Sequence, residues 1–84
     1  MSEPAVADKL VEYGLTGSES KVYVYVAKRG PCPAGEIARA LLIRRGQTYN
    51  ILKALQEKGL VEALAGRPIR FSAISLPKAI DVLL

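Results

Sequence analysis

Gln47, Asn50 and Lys53 carry amide and ammonium groups at a spacing that sets them along one helix. On a helical wheel, Asn50 and Lys53 point away from the apolar residues of the same segment. Glutamine and asparagine amides can form paired hydrogen bonds with adenine, and a lysine ammonium can donate to guanine. These three side chains are therefore candidates for hydrogen bonds to the edges of nucleic-acid bases.

Arg44 and Arg45 come shortly before these residues, where the chain enters the helix. Guanidinium groups pair well with phosphate oxygens, and such contacts position a protein on a duplex without reading its sequence. We expect both arginines to contact phosphates; the alternative is an ordinary solvated turn. Tyr49 lies between the polar and apolar faces, where it could touch a sugar-phosphate or pack in the core, and we favour the core.

Two short helices joined by a turn would hold these residues. The first is predicted at 34–42 and the second at 46–58, which ends before a glycine. The residues expected to face inward are Ile37, Ala38, Leu41 and Leu42 in the first helix and Thr48, Ile51, Leu52 and Leu55 in the second. Each helix would thus have one face for a core and one for solvent.

Two further helices are predicted before this pair, at 4–13 and 17–29. Thr16 and Glu19 have the spacing of a capping box, which would open the second of them. The segment 22–26 alternates Val and Tyr and has the composition of a strand. The cap, the basic residues before the closing glycine and the length of the segment favour a helix.

Beyond residue 59 the pattern indicates a β-hairpin. Strands are predicted at 60–64 and 69–74, so that residues 60–74 form a wing, and a last helix is predicted at 76–84.

The second strand of the wing alternates apolar and polar residues. Ile69 and Phe71 are expected to face inward and Arg70 outward. Arg67 would lie at the tip of the wing. Arg67 and Arg70 could reach a minor groove or its phosphates.

Other residues with reactive or aromatic side chains are expected to be structural. Cys32 lies in the stretch 30–33, predicted as a stiff connector, and we favour a small turn residue over a redox switch or an intermolecular disulfide. Tyr23 and Tyr25 could stack on single-stranded bases, but the core of the second helix is the expected place for both.

The positive charge of the chain is concentrated in its centre. The 84 residues carry a net charge of +4 and have a pI of about 9.5. Residues 21–58 hold eight basic and two acidic side chains, whereas residues 1–20 hold one basic and four acidic side chains. Segregation of this kind favours a polyanionic partner.

Composition excludes several classes of function. With one cysteine and no histidine, the chain cannot assemble a zinc site of the usual ligands, and any catalysis through imidazole is excluded. The carboxylates are scattered, so we expect no enzyme, cofactor or metal. No apolar run is long enough to span a bilayer and no signal peptide is recognisable, so a cytoplasmic location is expected.

The order helix, helix, helix-turn-helix and hairpin is that of a winged helix-turn-helix, a mainly α fold with a small β-hairpin, and residues 1–84 are predicted to form one such domain. Four motifs stand at characteristic spacing: Gly-Leu-Thr at 14–16, Lys-Val-Tyr at 21–23, Gly-Glu-Ile-Ala at 35–38 and Lys-Gly-Leu-Val-Glu at 58–62. Together they make the chain, from about Leu10 to Ala79, similar to the N-terminal DNA-binding domain of the TrmB family of archaeal transcriptional regulators.

The chain departs from the family pattern in two places that matter for function. The family turn resembles Ser-Gly-Val-Pro-Arg-Ser, whereas residues 41–46 read Leu-Leu-Ile-Arg-Arg-Gly; a Ser or Thr expected before the third helix is Pro33. The sugar-binding and dimerising C-terminal region of typical TrmB proteins has no room in 84 residues, so no small-molecule effector is expected.

The resemblance and the charge pattern together imply sequence-specific or semi-specific binding of double-stranded DNA by a transcriptional regulator that lacks an effector domain. A homodimer is expected. The apolar stripes of the first and last helices could supply its interface; the alternative is that they pack on each other within one subunit. The alternative is a winged helix that binds protein through its apolar last helix. RNA is disfavoured because the major groove of A-form RNA is too deep and narrow for a helix.

Overall fold

The computed structural model describes residues 10–12 and 14–74. It contains three helices, α1 (Gly17–Arg29), α2 (Ala34–Leu41) and α3 (Arg45–Glu57), and three strands, β1 (Cys32–Pro33), β2 (Val61–Leu64) and β3 (Arg70–Ala73). Residues 10–12 are also helical. A mainly helical domain with a helix-turn-helix and a β-hairpin confirms the predicted fold class. The remainder of the helix predicted at 4–13 and the whole of that at 76–84 lie outside the described residues.

Helix α1 forms where the sequence also allowed a strand. Thr16 Oγ1 accepts a hydrogen bond from the Glu19 backbone N–H at 3.0 Å, and Glu19 Oε1 accepts from the Thr16 backbone N–H at 2.8 Å. This reciprocal cap satisfies two donors that would otherwise be unpaired at the helix start. Gly30 ends the helix at φ 86°, and its N–H donates to Val26 O at 2.9 Å. Local capping therefore outweighs the β propensity of the Val and Tyr residues.

Strand β1 was not predicted from the sequence. Cys32 pairs with Phe71 and Pro33 with Arg70, both antiparallel, so the sheet order is β1-β3-β2. A two-residue strand is too short to show alternation, and prolines usually argue against a strand. Pro33 is tolerated because β1 is at the edge of the sheet, where a missing N–H leaves no ladder bond unmade.

The core lies between the three helices and one face of the sheet. Tyr23 of α1, Ile37 of α2, Leu52 and Leu55 of α3 and Phe71 of β3 are all buried within it. The inward position predicted for Phe71 is thus confirmed, as is the inward face of α3, Thr48, Ile51, Leu52 and Leu55.

Two residues predicted to face inward are exposed instead. Ile69 precedes β3 rather than belonging to it, and its side chain is 53% exposed. Leu42 lies beyond the end of α2 in the left-handed conformation, with φ 56°, and is 92% exposed. These two predictions were wrong because helical spacing stops applying at Leu42, where the backbone leaves the helix, and strand alternation does not extend to Ile69, which lies before β3.

Candidate nucleic-acid interface

Helix α3 presents a polar face to solvent because its apolar face is anchored in the core. Gln47, Asn50 and Lys53 are exposed, as the helical wheel predicts. Helix α3 packs against both α1 and α2, and strand β2 follows it directly. The base-contact candidates therefore stand on a rigid element with their polar groups free to meet a ligand.

The N-terminus of α3 is open to an anion. Arg44 is the N-cap residue and its side chain makes no capping hydrogen bond, and the first turn contains no acidic residue. Thr48 Oγ1 donates to Arg44 O at 3.0 Å, so this hydroxyl does not cap the helix either. Backbone N–H groups that lack a capping partner, together with the helix dipole, favour an anion such as phosphate. The exposed guanidinium groups of Arg44 and Arg45 add to that preference.

Tyr49 does not pack in the core. Its side chain is 48% exposed, so the core contact that we favoured was wrong. The ring lies on the exposed side of α3 between Thr48, which is buried, and Asn50, which is exposed. The alternative contact with a sugar-phosphate is sterically open.

The two arginines of the wing belong to the hairpin and not to α3. Arg70 is in β3, opposite Leu64 of β2 and Pro33 of β1, and Arg67 is in the turn between β2 and β3. Both are exposed. The eight predicted contact residues thus divide into six on α3 or at its entry and two on the hairpin.

Ion pairs leave most positive charges of this region unopposed. Arg29 pairs with Glu36 through Nε at 2.9 Å, and Lys58 pairs with Glu19 through Nζ at 2.7 Å. Within residues 10–12 and 14–74, no ion pair involves Arg39, Arg44, Arg45, Lys53, Arg67 or Arg70. The paired charges hold helices together, whereas the unpaired ones surround the helix-turn-helix and the wing.

Glu36 belongs to the framework and not to the interface. Its Oε2 accepts a hydrogen bond from the Tyr25 hydroxyl at 2.9 Å. This bond, aided by the nearby guanidinium of Arg29, lowers the pKa of Glu36, and the same bond is the main reason why the pKa of Tyr25 is raised. This hydrogen bond joins the first turn of α2 to the C-terminal half of α1 and so holds the helix-turn-helix against α1.

The remaining candidates from the sequence are structural, as expected. Tyr23 is buried and its hydroxyl donates to Ile74 O, so neither it nor Tyr25 is a free stacking platform. Cys32 is fully buried, and this burial raises the pKa of its thiol, as is usual for a structural cysteine.

The described part of the chain holds neither a cluster of metal-ligating side chains nor a membrane-spanning helix. It contains no group of three or more Cys, Asp or Glu side chains that could hold a metal ion. No helix among those residues has the length and apolar character needed to cross a membrane.

Arg39 is a basic residue near the interface that sequence reasoning missed. It lies on the exposed side of α2 and, with Arg45, borders a shallow concavity of about 440 Å³. The other residues that line it are Gly35, Ala38, Leu42 and Ile43. Only the exposed position of Arg39 on a helical wheel could have suggested it, because its approach to Arg45 depends on how α2 and α3 pack.

Comparisons with known proteins identify the family of the chain. A family model described as "Sugar-specific transcriptional regulator TrmB" matches residues 10–77. The HTH-type sugar sensing transcriptional regulator TrmBL1 of Pyrococcus furiosus is 31% identical over 75 residues, which are 89% of this chain and 22% of that protein.

Solved structures show the same fold. The structure of TrmBL2, an archaeal chromatin protein, superposes with a TM-score of 0.86 at 20% identity and covers 98% of this chain and 33% of that one. The MepR–DNA complex of Staphylococcus aureus gives a TM-score of 0.66 at 17% identity, over 96% of this chain and 60% of that one. The chain thus spans between a fifth and a third of the lengths of the two TrmB-like relatives. With a family model matched over most of its length and a winged helix-turn-helix in the corresponding place, the chain belongs to the TrmB family.

Proposed function

We propose that this domain binds double-stranded DNA and acts in transcription regulation. The observation that carries the proposal is the exposed polar face of α3, with Gln47, Asn50 and Lys53 outward and an uncapped, arginine-bearing N-terminus. A helix of this kind fits the major groove of B-form DNA. The family match supports the assignment, since its model describes a transcriptional regulator.

Each group of residues has a separate task in this proposal. Arg44 and Arg45 bind phosphates where α3 enters the groove, and Gln47, Asn50 and Lys53 contact base edges. Tyr49 touches the sugar-phosphate backbone beside them. Arg67 and Arg70 of the wing reach the adjacent minor groove or its phosphates.

A homodimer would double these contacts. One winged helix offers few phosphate contacts, whereas two copies related by a two-fold axis would span half-sites about 34 Å apart or a multiple of that distance. The expected interface, on the first and last predicted helices, falls largely outside the described residues. Sedimentation of the protein alone and with duplex should give a mass of two copies; a single copy at every concentration would refute the dimer.

Binding to three nucleic acids of one sequence tests the proposal. Fluorescence anisotropy should give the tightest binding for duplex DNA, weaker binding for the single strand, and the weakest for duplex RNA, whose major groove does not admit a helix. Equal affinity for all three would show attraction to phosphate alone. No binding of duplex DNA at low salt would end the proposal and leave the protein-binding alternative.

A further inference from the structure

We propose that Arg39 and Arg45 together bind one phosphate of the DNA backbone, in the open space above Gly35. The site rests on the proposed function and deepens it. It adds Arg39 and Gly35, neither of which the sequence pointed to, and it places the backbone phosphate between α2 and α3.

The two guanidinium groups converge on Gly35. A methyl group placed on Gly35 would lie 3.7 Å from Arg39 Nη1 and 3.8 Å from Arg45 Nη2. The separation of these nitrogens therefore cannot exceed the sum of the two distances. Two charge-assisted hydrogen bonds of about 2.8 Å, made to two oxygens of one phosphate, bridge a gap of that size.

Neither arginine is engaged elsewhere in the described part of the chain. Both are exposed and neither is in an ion pair there. Glu36, the carboxylate next to Gly35, feels the charge of Arg39, but its oxygens accept hydrogen bonds from Tyr25 and Arg29. Two cations held near each other, neither of them in an ion pair within the described residues, attract an anion more strongly than either does alone.

The start of α2 completes the site. Pro33 is the N-cap residue of α2 and its side chain makes no capping hydrogen bond. Gly35, in that turn, has no side chain to occupy the space between the guanidinium groups. The concavity also has an apolar side, formed by Ala38, Leu42 and Ile43. Arg45 is the first residue of α3, so a phosphate held here adjoins the point where α3 would enter the groove.

Replacement of Gly35 by aspartate tests the site directly. The new carboxylate would lie between the guanidinium groups and take the place of the phosphate, while an acidic residue in the first turn of a helix suits its dipole. We expect Gly35→Asp to melt no lower than the wild type and to bind duplex DNA at least tenfold more weakly, a loss of about 1.4 kcal/mol of binding free energy.

Two variants separate this effect from the change in charge. Gly17→Asp makes the same substitution in the first turn of α1, where a Cβ meets no atom within 4 Å. It should weaken binding only slightly. Gly35→Asn fills the same space without the negative charge, so it should weaken binding less than Gly35→Asp does. If Gly35→Asp binds no more weakly than Gly17→Asp, the phosphate site is refuted.

Arg39→Gln supplies a second readout that does not depend on Gly35. Loss of a phosphate contact should weaken binding to all sequences alike. It should also make the negative slope of log K against log salt shallower by about one. Lys21→Gln removes one exposed charge from α1 as the control. If wild type binds duplex but Arg39→Gln behaves like Lys21→Gln, the site fails and the proposed function stands. Failure of the wild type to bind duplex would instead remove both.

Discussion

Nζ of Lys58 lies 2.7 Å from Oε1 of Glu19, so the C-cap residue of α3 is hydrogen-bonded to the carboxylate of the capping box of α1. The same carboxylate oxygen accepts the backbone N–H of Thr16. Glu19 has only 8% of its side chain exposed. The capping box and the placement of α3 are therefore coupled through one buried carboxylate.

Removing the ammonium group should destabilise the fold. Lys58→Met leaves Glu19 buried with one charged partner fewer, and we expect the free energy of unfolding to fall by about 1 kcal/mol. The lysine side chain is 36% exposed, which keeps this figure well below that of a fully buried pair. Denaturant unfolding measures it. Lys53→Met, on the exposed face of the same helix, is the control and should change the free energy by less than about 0.5 kcal/mol; equal losses would contradict the coupling.

Stability should fall in acid partly through Glu19. Burial opposes ionisation of its carboxyl, but the hydrogen bonds from Lys58 and Thr16 outweigh it, so the pKa lies below the ordinary value of 4.5. The carboxylate thus adds stability that is complete above pH 4.5 and is lost as the pH falls through the lowered pKa. Unfolding of Glu19→Gln across this range should show a smaller acid loss than that of the wild type. Parallel curves for the two proteins would show that Glu19 contributes nothing.

Glycine at position 42 should stabilise the turn of the helix-turn-helix. Leu42 adopts φ 56°, which strains a residue with a Cβ, and its exposed side chain gains little from packing. Leu42→Gly should raise the free energy of unfolding by about 0.5–1 kcal/mol after the entropy of glycine is allowed for. Thermal melting with Leu42→Ala as the control measures it, because alanine keeps the strain. A lower melting temperature for the glycine variant than for alanine would refute the strain.

The exposed, left-handed conformation of Leu42 could not be predicted from apolar spacing. The family turn has glycine at this place, yet apolar spacing predicted that Leu42 faces the core. The capping box of α1 and the inward face of α3 are local properties of the chain, and they were predicted. Strand β1, the Glu19–Lys58 pair and the convergence of Arg39 with Arg45 depend on how separate elements pack. No periodicity of a single segment contains that information.

Phosphate contacts and base contacts should be separable by mutation. Arg44→Ala combined with Arg45→Ala should weaken binding to all duplexes alike, because phosphates are present in every sequence. Asn50→Ala should change which sequences are preferred, with about 1–3 kcal/mol lost at the base that it contacts. Selection from a random duplex pool with each variant provides the measurement. If both variants have the same effect on every sequence, the residues do not have separate tasks.

The salt dependence of duplex affinity for the unaltered protein tests the central claim most directly. If the arginines around α2, α3 and the wing neutralise phosphates, log K should fall linearly with log salt, with a slope of about −0.9 for each phosphate contacted. Several such contacts predict a steep line at every duplex sequence. An affinity that does not change with salt would contradict the claim that this face of the domain binds DNA.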